Sequence, residues 1–138
     1  MSGPRGDGTI PHRAQRLRRK KANALAGKAY IVRNFSDVPG VPCPCGTSQR
    51  AITAQNNDIA NVHVTHILHA QRHYHNKTTE FYYILEGRGV MELDGDEVDV
   101  EPGVVIMVPV GCRHAGRGDF KALIVGVPPF SEHDEFFD

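Results

Sequence analysis

The stretch RHYHNKTTEFYYILEGRG, Arg72 to Gly89, decides how the rest of the chain is read. Side chains alternate across a β-strand, so His73 and His75 point to one side and Tyr74 to the other. Asn76-Lys77-Thr78-Thr79 reads as a turn, which resets the phase so that Glu80 opens the next strand toward the same region as the two histidines. From Phe81 to Leu85 the run is apolar on both faces apart from the phenol oxygens of Tyr82 and Tyr83. Two imidazoles and a carboxylate thus converge beside an apolar strand, the beginning of a metal site.

Working outward, the signal is of short β-type runs. Strands are expected at Tyr30–Phe35, Gln49–Ala54, Val62–His69, Glu80–Glu86, Gly89–Leu93, Glu97–Val100, Val104–Val108 and Ala122–Val127, a spacing that suits an all-β barrel or sandwich. Asp94-Gly95 is a strong two-residue hairpin signal, and Glu101-Pro102-Gly103 and Val110-Gly111 break the apolar runs around them. The loop Ser36 to Ser48, SDVPGVPCPCGTS, carries three prolines and two glycines and is expected to be ordered by packing rather than by a ladder. The runs 81–85 and 104–108 are apolar on both faces; one face can fill a barrel and the other needs a cover, which predicts a homodimer.

At 138 residues the chain is one domain in size and can bury a core without disulfides. Residues 1 to 28 are expected to be a basic tail and a short helix, His12 to Ala26, with Leu17, Lys21 and Leu25 at helical spacing and Gly27 as its stop. Residues 29 to 138 form the β domain. The net charge of zero hides nine Lys or Arg against two acids in residues 1 to 40, and seven against fourteen in the remainder. The basic run HRAQRLRRKK, His12 to Lys21, has no interleaved aromatics and no nucleic-acid motif after it. It is therefore read as a helix lying on the protein's own acidic surface, with no nucleic-acid partner. No apolar run approaches the roughly 18 residues of a membrane span, and the N-terminus has no signal-peptide core, so no membrane partner and a cytoplasmic location are expected.

Three cysteines argue against a disulfide framework, and Cys43 and Cys45, separated by one proline, are read as structural and too tightly spaced for an easy mutual bridge. His63, His66 and His69 advance in steps of three, which puts His66 on the opposite strand face from the other two. They are read as ordinary strand histidines.

A second half-pattern appears in GVVIMVPVGCRHAGRG, Gly103 to Gly118. Together the two runs resemble the cupin superfamily, in particular its compact bacterial single-domain metal-binding members. The first cupin motif matches as His73-x-His75-x4-Glu80-x6-Gly87 and the second as Gly103-x5-Pro109-x-Gly111-x2-His114. Two positions depart: the glycine six residues before the first histidine is Ile67, and the final asparagine of the second motif is Gly118. The resemblance runs from about residue 49 to 127. It implies a double-stranded β-helix (jelly-roll) barrel in which His73, His75, Glu80 and His114 hold one divalent transition metal: iron, manganese, nickel, cobalt or zinc.

Alternation puts Tyr82 and Ile84 on the Glu80 face, so Glu80 and Tyr82 are the candidate catalytic pair, and Cys112 shares the His114 side if that segment is extended. The function expected is a small metal-dependent isomerase or lyase acting on a sugar, sugar acid or related carboxylate, a small-molecule substrate in any case. An iron-dependent dioxygenase and a non-catalytic binding or sensor module are the alternatives. A nucleic-acid regulator ranks last, since no helix-turn-helix is visible.

Overall fold

The computed structural model describes residues 11–17 and 27–138. Nine strands are found among the described residues: β1 (Gly40–Cys43), β2 (Gly46–Ile52), β3 (Asn61–His69), β4 (His73–Tyr74), β5 (Thr79–Leu93), β6 (Asp96–Val100), β7 (Val105–Val108), β8 (His114–Val127) and β9 (Phe136–Phe137). β8 is the spine. Along one edge it pairs with β3, and along the other with the whole of β5, from Thr79↔Val127 to Leu93↔His114. The far edge of β5 is shared, β7 taking its first half and β6 its second. β2 and then β1 extend the sheet beyond β3, while β4 joins the start of β8 and carries β9. Every pairing is antiparallel, and the curled sheet forms a jelly-roll barrel.

The Asp94-Gly95 hairpin forms as expected between β5 and β6, with both residues at positive φ, 49° and 92°, as a tight right-twisted turn requires. The two runs read as separate strands, 80–86 and 89–93, are instead one strand with a bulge. The register with β8 slips between Ile84 and Glu86. Side chains at 80, 82 and 84 point inward before the slip, and Met91 does so after it, because one extra residue shifts the period-2 phase. Gly87 sits just past the bulge at φ +84°, where an added Cβ would strike the Asp119 carbonyl oxygen.

The core is built from alternate residues of these strands: Ile67, Ile84, Met91, Val100, Val108, Phe120, Ala122 and Ile124 are buried together. Ile67, at the position of the missing motif glycine, belongs to this core and is 3% exposed.

Two expectations are corrected here. Tyr30–Phe35 is not a strand: residues 31–34 have no ladder, Phe35 opens a 3-10 turn (Phe35–Asp37), and Tyr30 and Val32 are exposed. Its β-branched and aromatic residues favour extended backbone, but among the described residues no strand forms a ladder with them. The Ser36–Ser48 loop, conversely, contains a ladder. β1 and β2 form a hairpin with Cys43 opposite Gly46. β1 is an edge strand, so Pro42 needs to donate no outward hydrogen bond.

The segment Met1–Val32 forms a unit of its own and Arg33–Asp138 another. In the first, residues 12–17 are helical, with Ala14 N and Gln15 N donating to Pro11 O. The expected continuation to Ala26, with residues 18–21 of the basic run, lies outside the described residues. No helix among the described residues is long and apolar enough to cross a membrane.

Candidate metal centre

β4, β5 and β8 bring the four sequence-predicted ligands together. His73 stands opposite His114 in register, and Glu80 lies on the inner face of β5. One ligand atom from each of His73, His75, Glu80 and His114 falls within 4.8 Å of all the others, and the last three residues are buried.

The orientation of the rings follows from their outer nitrogens. His73 Nδ1 is 2.8 Å from Gln71 O, His75 Nδ1 2.7 Å from Asp134 O, and His114 Nδ1 2.9 Å from Cys112 O. Each carbonyl accepts a hydrogen bond from Nδ1–H, which fixes the tautomer and turns Nε2 toward the cluster. His114 Nε2 is 3.2 Å from Glu80 Oε2, and His75 Nε2 is 3.5 Å from the same oxygen. His75 Nε2 is buried and makes no hydrogen bond. A buried polar atom left unpaired is costly, and a cation at the centre of the four would satisfy it. Three neutral imidazoles and one carboxylate are a donor set suited to a divalent transition ion. The cluster could therefore hold a metal ion, as in cupins.

The ionisation of Glu80 and of His73 agrees with this. Burial works against the charge on Glu80, but the neighbouring His114 and His75 outweigh it and hold the carboxyl well below the usual range. Burial and the neighbouring His114 push His73 down to about 4, which keeps it neutral. For His75 burial is opposed by Glu80 and the net direction is upward. Tyr82 donates to Glu80 Oε2 at 3.0 Å, and burial together with the Glu80 charge keeps its phenol protonated far above pH 10.

Sequence reasoning missed several parts of the site. Asp134 is 4% exposed, and its carboxylate accepts from Asn76 N, Lys77 N and Thr78 N at 2.9–3.1 Å, clamping the turn between the two ligand strands. Those backbone donors, prevailing over burial, lower its pKa. No local signal marked it, since it lies 58 residues from Asn76. His63, read as an ordinary strand histidine, lines the cavity beside the cluster, with Nδ1 2.8 Å from Asn61 Nδ2. His66 does face the other way, bonded to Asp119 at 2.7 Å. Cys112 contributes its backbone carbonyl to His114, while its thiol packs against the core.

The cluster opens into a cavity of about 400 Å³, lined also by Cys43, Cys45, Arg50, Tyr82, Phe130 and Glu135. Glu135, half-buried, is 3.9 Å from His73 Nε2 at its Oε1. Burial raises its pKa. Arg50 is exposed and has no ion-pair partner within 4 Å among the described residues.

Residues 65–126, which contain both ligand runs, match the family model of the cupin domain, Cupin_2. The chain belongs to the cupin superfamily. A crystal structure of a protein from Planctomyces limnophilus is 30% identical, covers 81% of this chain and 99% of its own, and superposes with a TM-score of 0.74. The nucleoside dehydratase Pac13 shares the fold at 19% identity, with a TM-score of 0.70 over 78% of this chain and 90% of its own. Quercetin 2,3-dioxygenase of Bacillus subtilis is 43% identical over 47 residues, 34% of this chain and 14% of that protein. The chain spans about half or less of the length of the curated relatives it matches.

Proposed function

We propose that this cupin is a small metal-dependent enzyme of isomerase or lyase type acting on a sugar acid or related hydroxy-carboxylate. The observation that carries the reading is one cavity holding three complementary groups: the His73, His75, Glu80, His114 cluster, a cation at Arg50 with no carboxylate within ion-pair distance among the described residues, and a carboxyl at Glu135 whose pKa burial raises. Those four residues would hold the ion. When bound, a divalent cation chelates adjacent hydroxyl and carbonyl oxygens and acidifies the neighbouring C–H.

The chain's own residues do the rest. Arg50 pairs with the substrate's carboxylate through its planar fork and sets which end enters first. Glu80 stays anionic, since His114 and His75 stabilise its charge and Tyr82 donates to it. Tyr82 therefore positions Glu80 rather than ionising. Glu135 moves the proton: its burial lifts its pKa toward the range in which a carboxyl both takes up and returns a proton. Ile67, Ile124 and Phe130 supply the apolar wall that keeps water from competing.

The test supplies iron(II)- and manganese(II)-loaded protein with sugar acids and the matching neutral sugars, with and without oxygen. Turnover of an acid under nitrogen, with solvent deuterium entering the product, is expected. Glu135→Gln should abolish it, and Arg50→Gln should raise KM for the acid selectively. The quercetin dioxygenase likeness favours a second reading, in which the same cluster serves oxygen chemistry. Substrate-dependent oxygen consumption that vanishes in His75→Ala would establish that reading instead. Binding without turnover under either atmosphere would make the protein a sensor module.

The working unit is proposed to be a homodimer. On the outer face of β5 and β7, Phe81, Tyr83, Leu85, Val105 and Met107 are between 39% and 66% exposed, and they are cross-strand neighbours, Phe81↔Met107 and Tyr83↔Val105. A contiguous apolar patch of this kind calls for a second surface, and a second copy offers the same patch in self-complementary form.

A further inference from the structure

Two thiols sit in the wall of the same cavity without a part in the chemistry above. Cys43 ends β1, and Cys45 lies in the turn before β2. Their Sγ atoms are 2.7 Å apart in a hydrogen bond, and both side chains line the cavity. The sequence suggested a spacing too tight for a mutual bridge. The fold removes that objection by turning both side chains to the same side of the Pro44 turn.

The pair is held in place. Leu68 N donates to Cys45 O at 3.2 Å, Cys45 packs against the barrel core, and Gly46, at φ +147°, leaves room for the His66 carbonyl where any side chain would collide. The two thiols also differ electronically. The hydrogen bond from Cys45 leads in lowering Cys43 to about 6, with Arg50 adding a smaller effect against burial, while the same bond and burial push Cys45 upward. One sulfur is a ready thiolate and the other a protonated partner beside it, the asymmetry that thiol–disulfide exchange uses. Cys112 does not line the cavity, and burial raises its pKa, so it serves as an internal control.

We propose that Cys43 and Cys45 form a redox-active dithiol in the cavity wall that closes reversibly to an intramolecular disulfide by exchange with small-molecule disulfides such as oxidised glutathione. The Cys43 thiolate attacks one sulfur of the small disulfide, whose S–S bond breaks and releases one thiolate, leaving a mixed disulfide on Cys43. Cys45 gives up its proton to solvent, attacks the Cys43 sulfur and expels the second thiolate. Two electrons leave the pair, with the single proton of Cys45, and the small disulfide departs as two thiolates that take up protons from solvent. Closure brings the sulfurs from contact to the bonded distance of about 2.05 Å and replaces a thiolate beside Arg50 with a neutral bridge. The cavity wall thereby loses a negative charge that competes with an anionic ligand for Arg50.

The experiment equilibrates the full-length protein, with chelator present, in glutathione buffers of increasing oxidation, quenches with an alkylating agent and reads intact mass. The expected result is one two-electron transition in which the number of alkylated thiols falls from three to one, with no glutathione retained and no covalent dimer. Cys45→Ser should instead keep one glutathione on Cys43, and Cys112→Ser should close as wild type does. Alkylation of Cys43 should reach its plateau by about one unit above its pKa of about 6, while Cys112 is still rising. Three free thiols in the most oxidising buffer, a lasting glutathione adduct on the wild type, or a disulfide-linked dimer would each overturn the proposal.

Discussion

The two faces of β5 use nearly the same amino acids for opposite ends. Glu80, Tyr82 and Ile84 point inward and are buried, while Phe81, Tyr83 and Leu85 point outward and are exposed. Tyr82 and Tyr83 are chemically identical neighbours. Tyr82 meets a carboxylate ringed by imidazoles, and Tyr83 meets Val105 and Leu123 across the sheet. Residue type therefore says little about role here, and strand phase says almost everything: a one-residue slip would exchange the candidate metal ligands for an exposed apolar face.

The largest expected effect breaks the inner face. His75→Ala removes the nitrogen that has no other partner, and metal affinity should fall by more than about 100-fold, beyond the cost usual for losing a supporting residue. Elemental analysis of protein purified without chelators checks it, and unchanged metal content would remove His75 from the ligand set.

The corresponding break on the outer face is Met107→Asp. It places a charge at the centre of the proposed dimer surface and should shift the protein to monomer in sedimentation, with metal content unchanged. A dimer that persists would locate the interface elsewhere.

A pH titration sharpens the inner face. In metal-free protein His73 is held neutral down to about pH 4, whereas the unfolded chain takes up its proton near 6.5. The unfolded state binds more protons across that window. This contribution to stability is thus fully present above pH 6.5 and is lost as pH falls toward 4, by at most about 3 kcal/mol. Denaturant melts across the range should show that limb in wild type and not in His73→Gln. An identical slope in both would mean that His73 titrates normally.

The smallest effect is the most direct comparison of the two faces. Tyr82→Phe deletes a buried hydrogen bond to a charged carboxylate and should cost about 1.5–3 kcal/mol, whereas Tyr83→Phe should stay within about 0.5 kcal/mol. Equal costs would mean that the Tyr82 hydroxyl contributes nothing to the Glu80 environment.

The ligand set was legible because its geometry is local. His73 and His75 share a strand face and a four-residue turn resets the phase for Glu80, so spacing brought these three together, while His114 entered only through the resemblance to the second cupin motif. The same holds for the Asp94-Gly95 hairpin and for β3, β6 and β7, where period-2 patterning and turn residues agree. Local reasoning failed where partners decide. Tyr30–Phe35 has strand-like residues yet forms no ladder among the described residues, while the proline-containing 40–43 segment forms β1 because an edge position tolerates a missing donor.

Chain pattern by itself thus determined an all-β barrel or sandwich, the phase of β4 and the start of β5, and three of the four converging side chains; the jelly-roll barrel and His114 came with the family resemblance. Only the tertiary structure decided that Asp134 clamps the ligand turn, that His63 looks into the cavity, and that Arg50 and Glu135 face it too. It also placed Cys43 and Cys45 sulfur to sulfur. The physical reason is that alternation along a strand is written in neighbouring residues, whereas which strand edge meets which, and what the C-terminal segment folds back upon, depends on long-range pairing whose energetic gain appears only once the sheet has curled.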